Sequence, residues 1–204
     1  DQDELNGYDV VIMGRAVNSG DYNDPDGWNL LTVPVIQQSP YLIRSSRWQW
    51  QYGSSLMTMG GAPAYEAKNT SHAIFDGITL DGNDQVQVLD PEAGIGHTVF
   101  ITESEVGPEA EILATHADSG FIAIAYWPTG ANFNEVTIHN ASGPRMLFTA
   151  GTREGTVIDS SSTPWDTLTA GQGAYNLTDE GWDLFINAIE WMAELGPGEE
   201  FIPP

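Results

Sequence analysis

The chain of 204 residues has no cysteine and a single lysine, Lys68. Without cysteine there are no disulfides, no thiolate metal ligands and no cysteine nucleophile. Only 6 basic residues face 29 acidic ones, a formal net charge of −23. Such a surface repels phosphate backbones and anionic bilayers, so nucleic acid and membrane are excluded as expected partners. No apolar run approaches the ~20 residues of a membrane-spanning helix. What is present is ordinary globular material: 41% hydrophobic residues, 10% aromatic. That is enough to build one core, and a single domain over 1–204 is expected. A low-lysine, aspartate-rich surface suits a salty medium that screens it, which points to an extracellular setting. The first residue, Asp1, fits a processed secreted protein, although a trimmed piece would read the same way.

Four segments read as buried strands: 8–13, 33–37, 121–127 ("FIAIAYW") and 145–149 ("RMLFT"). A short helical turn is predicted near Trp28 and Leu31. Segments 85–89, 98–102 and 111–115 alternate polar and apolar residues between turn-rich stretches, which predicts an antiparallel β flap over about 85–116. The C-terminal helix is the clearest element. Thr178 is its expected N-cap, with Asp179 and Glu180 in the first turn. Trp182, Phe185, Ile186, Ile189 and Met192 fall at helical spacing on one face, and Gly196, Pro197 and Gly198 end it. A loop is expected at 160–165.

Three stretches offer candidate sites. "DYNDPDG" supplies oxygen ligands at Asp21, Asn23, Asp24 and Asp26, at the carboxyl end of a strand where α/β proteins collect ligands. In an EF-type frame, Asp24, Asp26 and Gly27 fit, but Tyr22 holds the first position. Ca2+ is thus a candidate cofactor, and a solvated loop of Asx turns competes with it. "RSSRWQWQY" places Trp48, Trp50 and Tyr52 at period two, one face of a strand, beside Arg44 and Arg47. Exposed, these five would make a sugar- or protein-binding platform. The competing reading puts at least two rings in the core, with an arginine neutralising a nearby Asp. The four histidines, His72, His97, His116 and His139, show no metal or catalytic spacing and read as structural. Asn69, Asn140 and Asn176 open glycosylation-type triplets.

"YDVVIMGRAVNSGDY", "VPVIQQSPYLIRSSRW", "HAIFDGI" and "LTDEGWDLFINAIEWM" together resemble the secreted branch of the trehalose-utilisation-like (ThuA-like) proteins. Those are related to class I glutamine amidotransferases. The resemblance runs over nearly the whole chain. It implies an α/β fold, a three-layer flavodoxin-like sandwich with a mainly parallel sheet, and proximity to carbohydrate-active or adhesion modules. The chain departs from that pattern twice. The family fold carries a strand, helix and strand before the position of Tyr8, where this chain has "DQDELNG". The expected result is an open sheet edge, covered by another chain or an upstream domain. The amidotransferase cysteine is also missing. Ser39 stands nearest its place, followed by Pro40, which has no N–H for an oxyanion hole.

The functional expectation is therefore a non-catalytic extracellular module that binds or assembles, with glycan or protein partners. A hydrolase with an unseen triad and a purely structural subunit are the alternatives.

Overall fold

Alternate residues of three strands feed two separate cores. The strands are β2 (Val35–Gln37), β8 (Ile122–Trp127) and β9 (Arg145–Phe148). Ile36, Met146, Phe148, Ile124 and Tyr126 enter one core; Val35, Leu147, Ala125 and Trp127 enter the other. This period-two partition puts apolar side chains on both faces of the sheet, so all six residues of β8 and all four of β9 are buried. The computed structural model describes residues 1–14, 17–60, 64–90, 97–134, 140–150 and 177–197. The expected loop at 160–165, His139 and Asn176 lie outside these.

The remaining elements are α1 (Gln2–Leu5), β1 (Val11–Met13), α2 (Pro25–Asn29), α3 (Pro40–Ile43), β3 (Leu56–Gly60), β4 (Ala64–Ala67), a 3-10 turn (Ala73–Phe75), β5 (Gln85–Gln87), β6 (His97–Ile101), β7 (Glu111–His116) and α4 (Asp179–Leu195). The main sheet has seven strands in the order β1-β2-β9-β8-β7-β4-β5. The pairs β1/β2 and β2/β9 are parallel, and the four pairs from β9/β8 to β4/β5 are antiparallel. The chain is thus α/β with a mixed sheet, and the expected parallel pairing is confined to one end. β3 and β6 form a separate antiparallel pair.

This topology corrects the expected flap over 85–116. β5 and β7 belong to the main sheet, each hydrogen-bonded to β4, while β6 leaves it to pair with β3. β1 is also shorter than the expected 8–13. Tyr8 is 56% exposed and Ile12 41%. β1 is a terminal strand and so is not covered as the central strands are.

Helix α4 starts as expected: Thr178 Oγ1 accepts from the Gly181 N–H at 2.9 Å. Its buried face is Gly181, Leu184, Phe185, Ala188 and Met192. Trp182 is 42% exposed, against the expectation that it faces the sheet. The reason is Gly181, whose Cα lies against the Val88 carbonyl so closely that an added Cβ would sit 2.1 Å from that oxygen. This close docking points Gly181 at the sheet and turns the next residue outward. Phe185→Ala should therefore cost about 3–5 kcal/mol, and Trp182→Ala under ~1 kcal/mol. Urea unfolding of the two variants measures the contrast.

Candidate functional site

The carboxyl ends of the three parallel strands, where α/β folds gather ligands, are built from Gln37, Gln38, Ser39, Thr149 and Ala150. Gln38 N–H donates to the Met13 carbonyl (3.0 Å) and Ala150 N–H to the Gln38 carbonyl (3.2 Å), tying the three ends together. The Gln37 side chain bends toward Ser39, whose N–H donates to Gln37 Oε1 at 2.7 Å. Tyr65 O–H donates to the Thr149 carbonyl at 2.6 Å, and complete burial raises its pKa and keeps it a neutral donor. Ser39, Gln37 and Thr149 are all fully buried, and Ser39 Oγ, Gln37 Nε2 and Thr149 Oγ1 find no hydrogen-bond partner among the described residues.

Ser39 does not have the geometry of a nucleophile elbow. It stands at the N-cap of α3 with φ −107° and ψ 112°, relaxed extended backbone, whereas a nucleophile elbow is a strained turn. Among the described residues no base accepts its hydroxyl proton, and its Oγ has no partner there. Pro40 begins the helix, a position proline favours because the N–H there would be unpaired anyway.

The tryptophan stretch is an internal staple. It does not form a strand: Gln49 has φ +66°, which breaks the period-two geometry expected of Trp48, Trp50 and Tyr52. Trp48 and Trp50 are both 0% exposed. Trp28 stacks on Trp48 (5.0 Å between centroids), Trp48 meets Trp50 (5.6 Å), and Trp50 stacks on Phe133 (5.5 Å). Their polar ends are satisfied internally: Trp48 Nε1 donates to the Tyr22 carbonyl and Trp50 Nε1 to Asn29 Oδ1, both at 2.8 Å. Neither ring has a face free for a sugar, which corrects the stacking platform. Tyr52 remains half-buried and lines a cleft of about 510 Å³ with Ser104, Glu105, Val106, Pro108 and Ile112. Arg44 lies over the Tyr41 ring (5.7 Å) and donates to the Tyr41 carbonyl and Ser19 Oγ. Arg47 donates to the Ser46 carbonyl. These contacts are to carbonyls, a hydroxyl and a ring.

In the acidic loop, Asp24 is the N-cap of α2: its Oδ1 accepts from the Gly27 N–H at 3.1 Å. Asp26 sits in the first turn of that helix. Asn18 Oδ1 accepts from Gly20 N–H in an Asx turn. Asp21, Asn23, Asp24 and Asp26 are exposed, and no three acidic or histidine side chains among the described residues form a metal-sized group. Asp24 Oδ1 is used by the helix cap, and the loop's carboxylates are spread along the surface and not gathered around one point among the described residues.

Sequence reasoning missed Arg145. Its guanidinium is fully buried at the start of β9. Nη1 donates to the carbonyls of Val33 (3.1 Å) and Pro144 (3.0 Å), and Nη2 to those of Trp28 (3.2 Å), Asn29 (3.1 Å) and Leu31. Burial pushes its pKa down to about 9, so it stays charged at neutral pH. The available signal was one of six basic residues opening an otherwise apolar strand.

His116 holds the turn between β7 and β8. Its Nδ1 accepts the N–H groups of Asp118 and Ser119, both at 3.1 Å, and Phe100 meets its ring edge-on at 5.2 Å. His72 caps the 3-10 turn through Nδ1 and lies edge-on to Trp191 (4.5 Å). Burial lowers both imidazole pKa values.

No protein-family model matches the chain, and no curated protein matches it. Among solved structures, cytoplasmic protein STM3548 from Salmonella typhimurium is similar, with a TM-score of 0.50 at 11% identity over 94% of this chain and 74% of that one. A likeness at that identity speaks to fold alone.

Two outcomes follow from these contacts. Arg145→Met removes a donor from five carbonyls; those of Trp28, Asn29 and Pro144 keep backbone N–H donors from Leu31, Ser142 and Val35, while those of Leu31 and Val33 lose theirs, which should cost about 1–3 kcal/mol for each orphaned carbonyl in a urea titration. The histidines set a pH response. Their folded pKa values lie below the ordinary 6.5, so the unfolded chain takes up protons first as pH falls. Their stabilisation is complete above that value and is lost as pH drops below it. The melting temperature should fall between pH 7 and 5 and fall less in His116→Gln.

Proposed function

We propose that this chain is a secreted, non-catalytic module of the ThuA-like type, whose work is to bind or assemble with other molecules. The fold proposed with it is a three-layer flavodoxin-like sandwich carrying an antiparallel extension. Support for that comes from the two cores on opposite faces of the sheet and the parallel β1-β2-β9 end. The acidic surface supports an extracellular setting.

One observation carries the non-catalytic reading: Ser39. The residue nearest the amidotransferase nucleophile is fully buried, unstrained, without a base among the described residues, and followed by a residue with no N–H to give. A hydrolase of this fold would need an exposed nucleophile hydrogen-bonded to a base at these strand ends. Protein partners fit the β1 end of the sheet, whose outer edge is unpaired among the described residues. A glycan is a second reading, favoured by the cleft at Tyr52, whose volume of about 510 Å³ suits a sugar-sized ligand.

The test is a panel of ester, glycoside and glutamine substrates run on the purified protein beside Ser39→Ala. No turnover above the variant is expected. Turnover that Ser39→Ala abolishes would overturn the reading.

A further inference from the structure

The two ends of the main sheet are finished differently. At the β5 end, Leu177 bridges Leu89 in antiparallel fashion, Thr178 N–H donates to the Val88 carbonyl (3.0 Å), and Thr178 Oγ1 donates to the Gln87 carbonyl. The chain's own backbone seals that edge. At the β1 end, the only strand pairing among the described residues is with β2. Val11 N–H donates to the Pro34 carbonyl (2.9 Å) and the Met13 carbonyl accepts from Gln38 N–H (3.0 Å). In a ladder, the intervening residue points its backbone groups the other way, so the N–H and C=O of Ile12 face outward. Ile12 is exposed, as is Tyr8 four residues earlier in the chain. Sequence devices that usually guard an edge, a lysine or a proline on the strand, are missing from 8–14.

Charge decides what fits there. Residues 1–14 carry Asp1, Asp3, Glu4 and Asp9, all exposed, and no Lys or Arg. A second copy would bring the same four carboxylates and a further −23 of net charge, which opposes self-pairing. We infer that the outer edge of β1 takes an extended segment of a different chain as an added strand, with apolar residues against Ile12 and Tyr8 and Lys or Arg against the carboxylates. This inference rests on the reading of the chain as a binding module and names the surface and the partner chemistry.

The probe is a fluorescent, capped peptide of alternating Lys and Val. It is compared with the same peptide N-methylated on alternate residues, which keeps the charge and removes the edge donors and acceptors' close approach. Anisotropy titrations at moderate salt should show binding that weakens by about tenfold or more, ~1.4 kcal/mol, on methylation. Ile12→Pro should weaken it similarly, because that substitution removes an outward N–H and leaves the β1/β2 ladder its own donors. The methylated peptide on the unaltered protein stands even if Ile12→Pro fails to fold. Equal binding of both peptides, or no binding, overturns the inference. So does a dimer by sedimentation that Ile12→Pro dissolves, since the occupant would then be a second copy. Ser39-dependent turnover would overturn the non-catalytic reading and leave these peptide results as they stand, so the two failures are distinguishable.

Discussion

A buried guanidinium surrounded by backbone carbonyls organises one half of this protein. Removing a cation from water is costly unless dipoles replace the hydration shell. Here the replacement comes from the carbonyls of Trp28, Asn29, Leu31, Val33 and Pro144. The carbonyls of Trp28 and Asn29 close α2, where a helix leaves its last C=O groups without internal partners. Arg145 therefore ends that helix and wraps the chain leading to β2 around its own head group. Gly143 makes the wrap possible: an added Cβ would lie 2.1 Å from the Thr32 carbonyl. With the loop fixed, Asn29 is fixed too. Its Nδ2 donates to the Trp48 carbonyl (2.9 Å) while its Oδ1 accepts from Trp50 Nε1. The aromatic stack and the core on that face follow from this placement.

The sheet built on this anchor is asymmetric in chemistry as well as pairing. Its parallel end presents strand termini that, in related architectures, hold catalytic groups. Among the described residues those termini carry Gln37, Ser39 and Thr149, all fully buried. The antiparallel end is a sealed hairpin-like extension, held at its turn by His116. Specific contacts of this kind fix shape. The surface is dominated by carboxylates, of which Glu66 makes a 2.6 Å ion pair with Lys68.

Much of the fold was legible where one physical signal acted alone. The cap at Thr178 and the first-turn acids marked the start of α4, and continuous apolar runs marked β8 and β9. Reading failed where two signals competed. Trp48, Trp50 and Tyr52 are spaced as on a strand, yet the positive φ of Gln49 and the hydrogen bonds of Asn29 and Asn134 hold them in turns. Trp182 fits the helical stripe by periodicity, but the close approach of Gly181 to Val88 rotates it to solvent. β3 and β4 were not anticipated: "LMTMG" and "AYEA" are short and lie beside glycines, and pairing partners distant in sequence supply their order. Asp24 showed as a metal ligand because a cap and a ligand use the same oxygen. Arg145 was invisible because its partners are carbonyls, which every residue has.

Arg145 anchors an acidic α/β fold whose sheet is sealed at β5 and, among the described residues, unpaired on the outer side of β1. Amide hydrogen exchange of the free protein, followed residue by residue by NMR, tests it most directly. The account predicts slow exchange at Val11 and Met13, whose N–H groups face β2, and exchange near the unprotected rate at Ile12 between them. Protection at Ile12 equal to that of its neighbours would mean the edge is already covered, and would contradict the account.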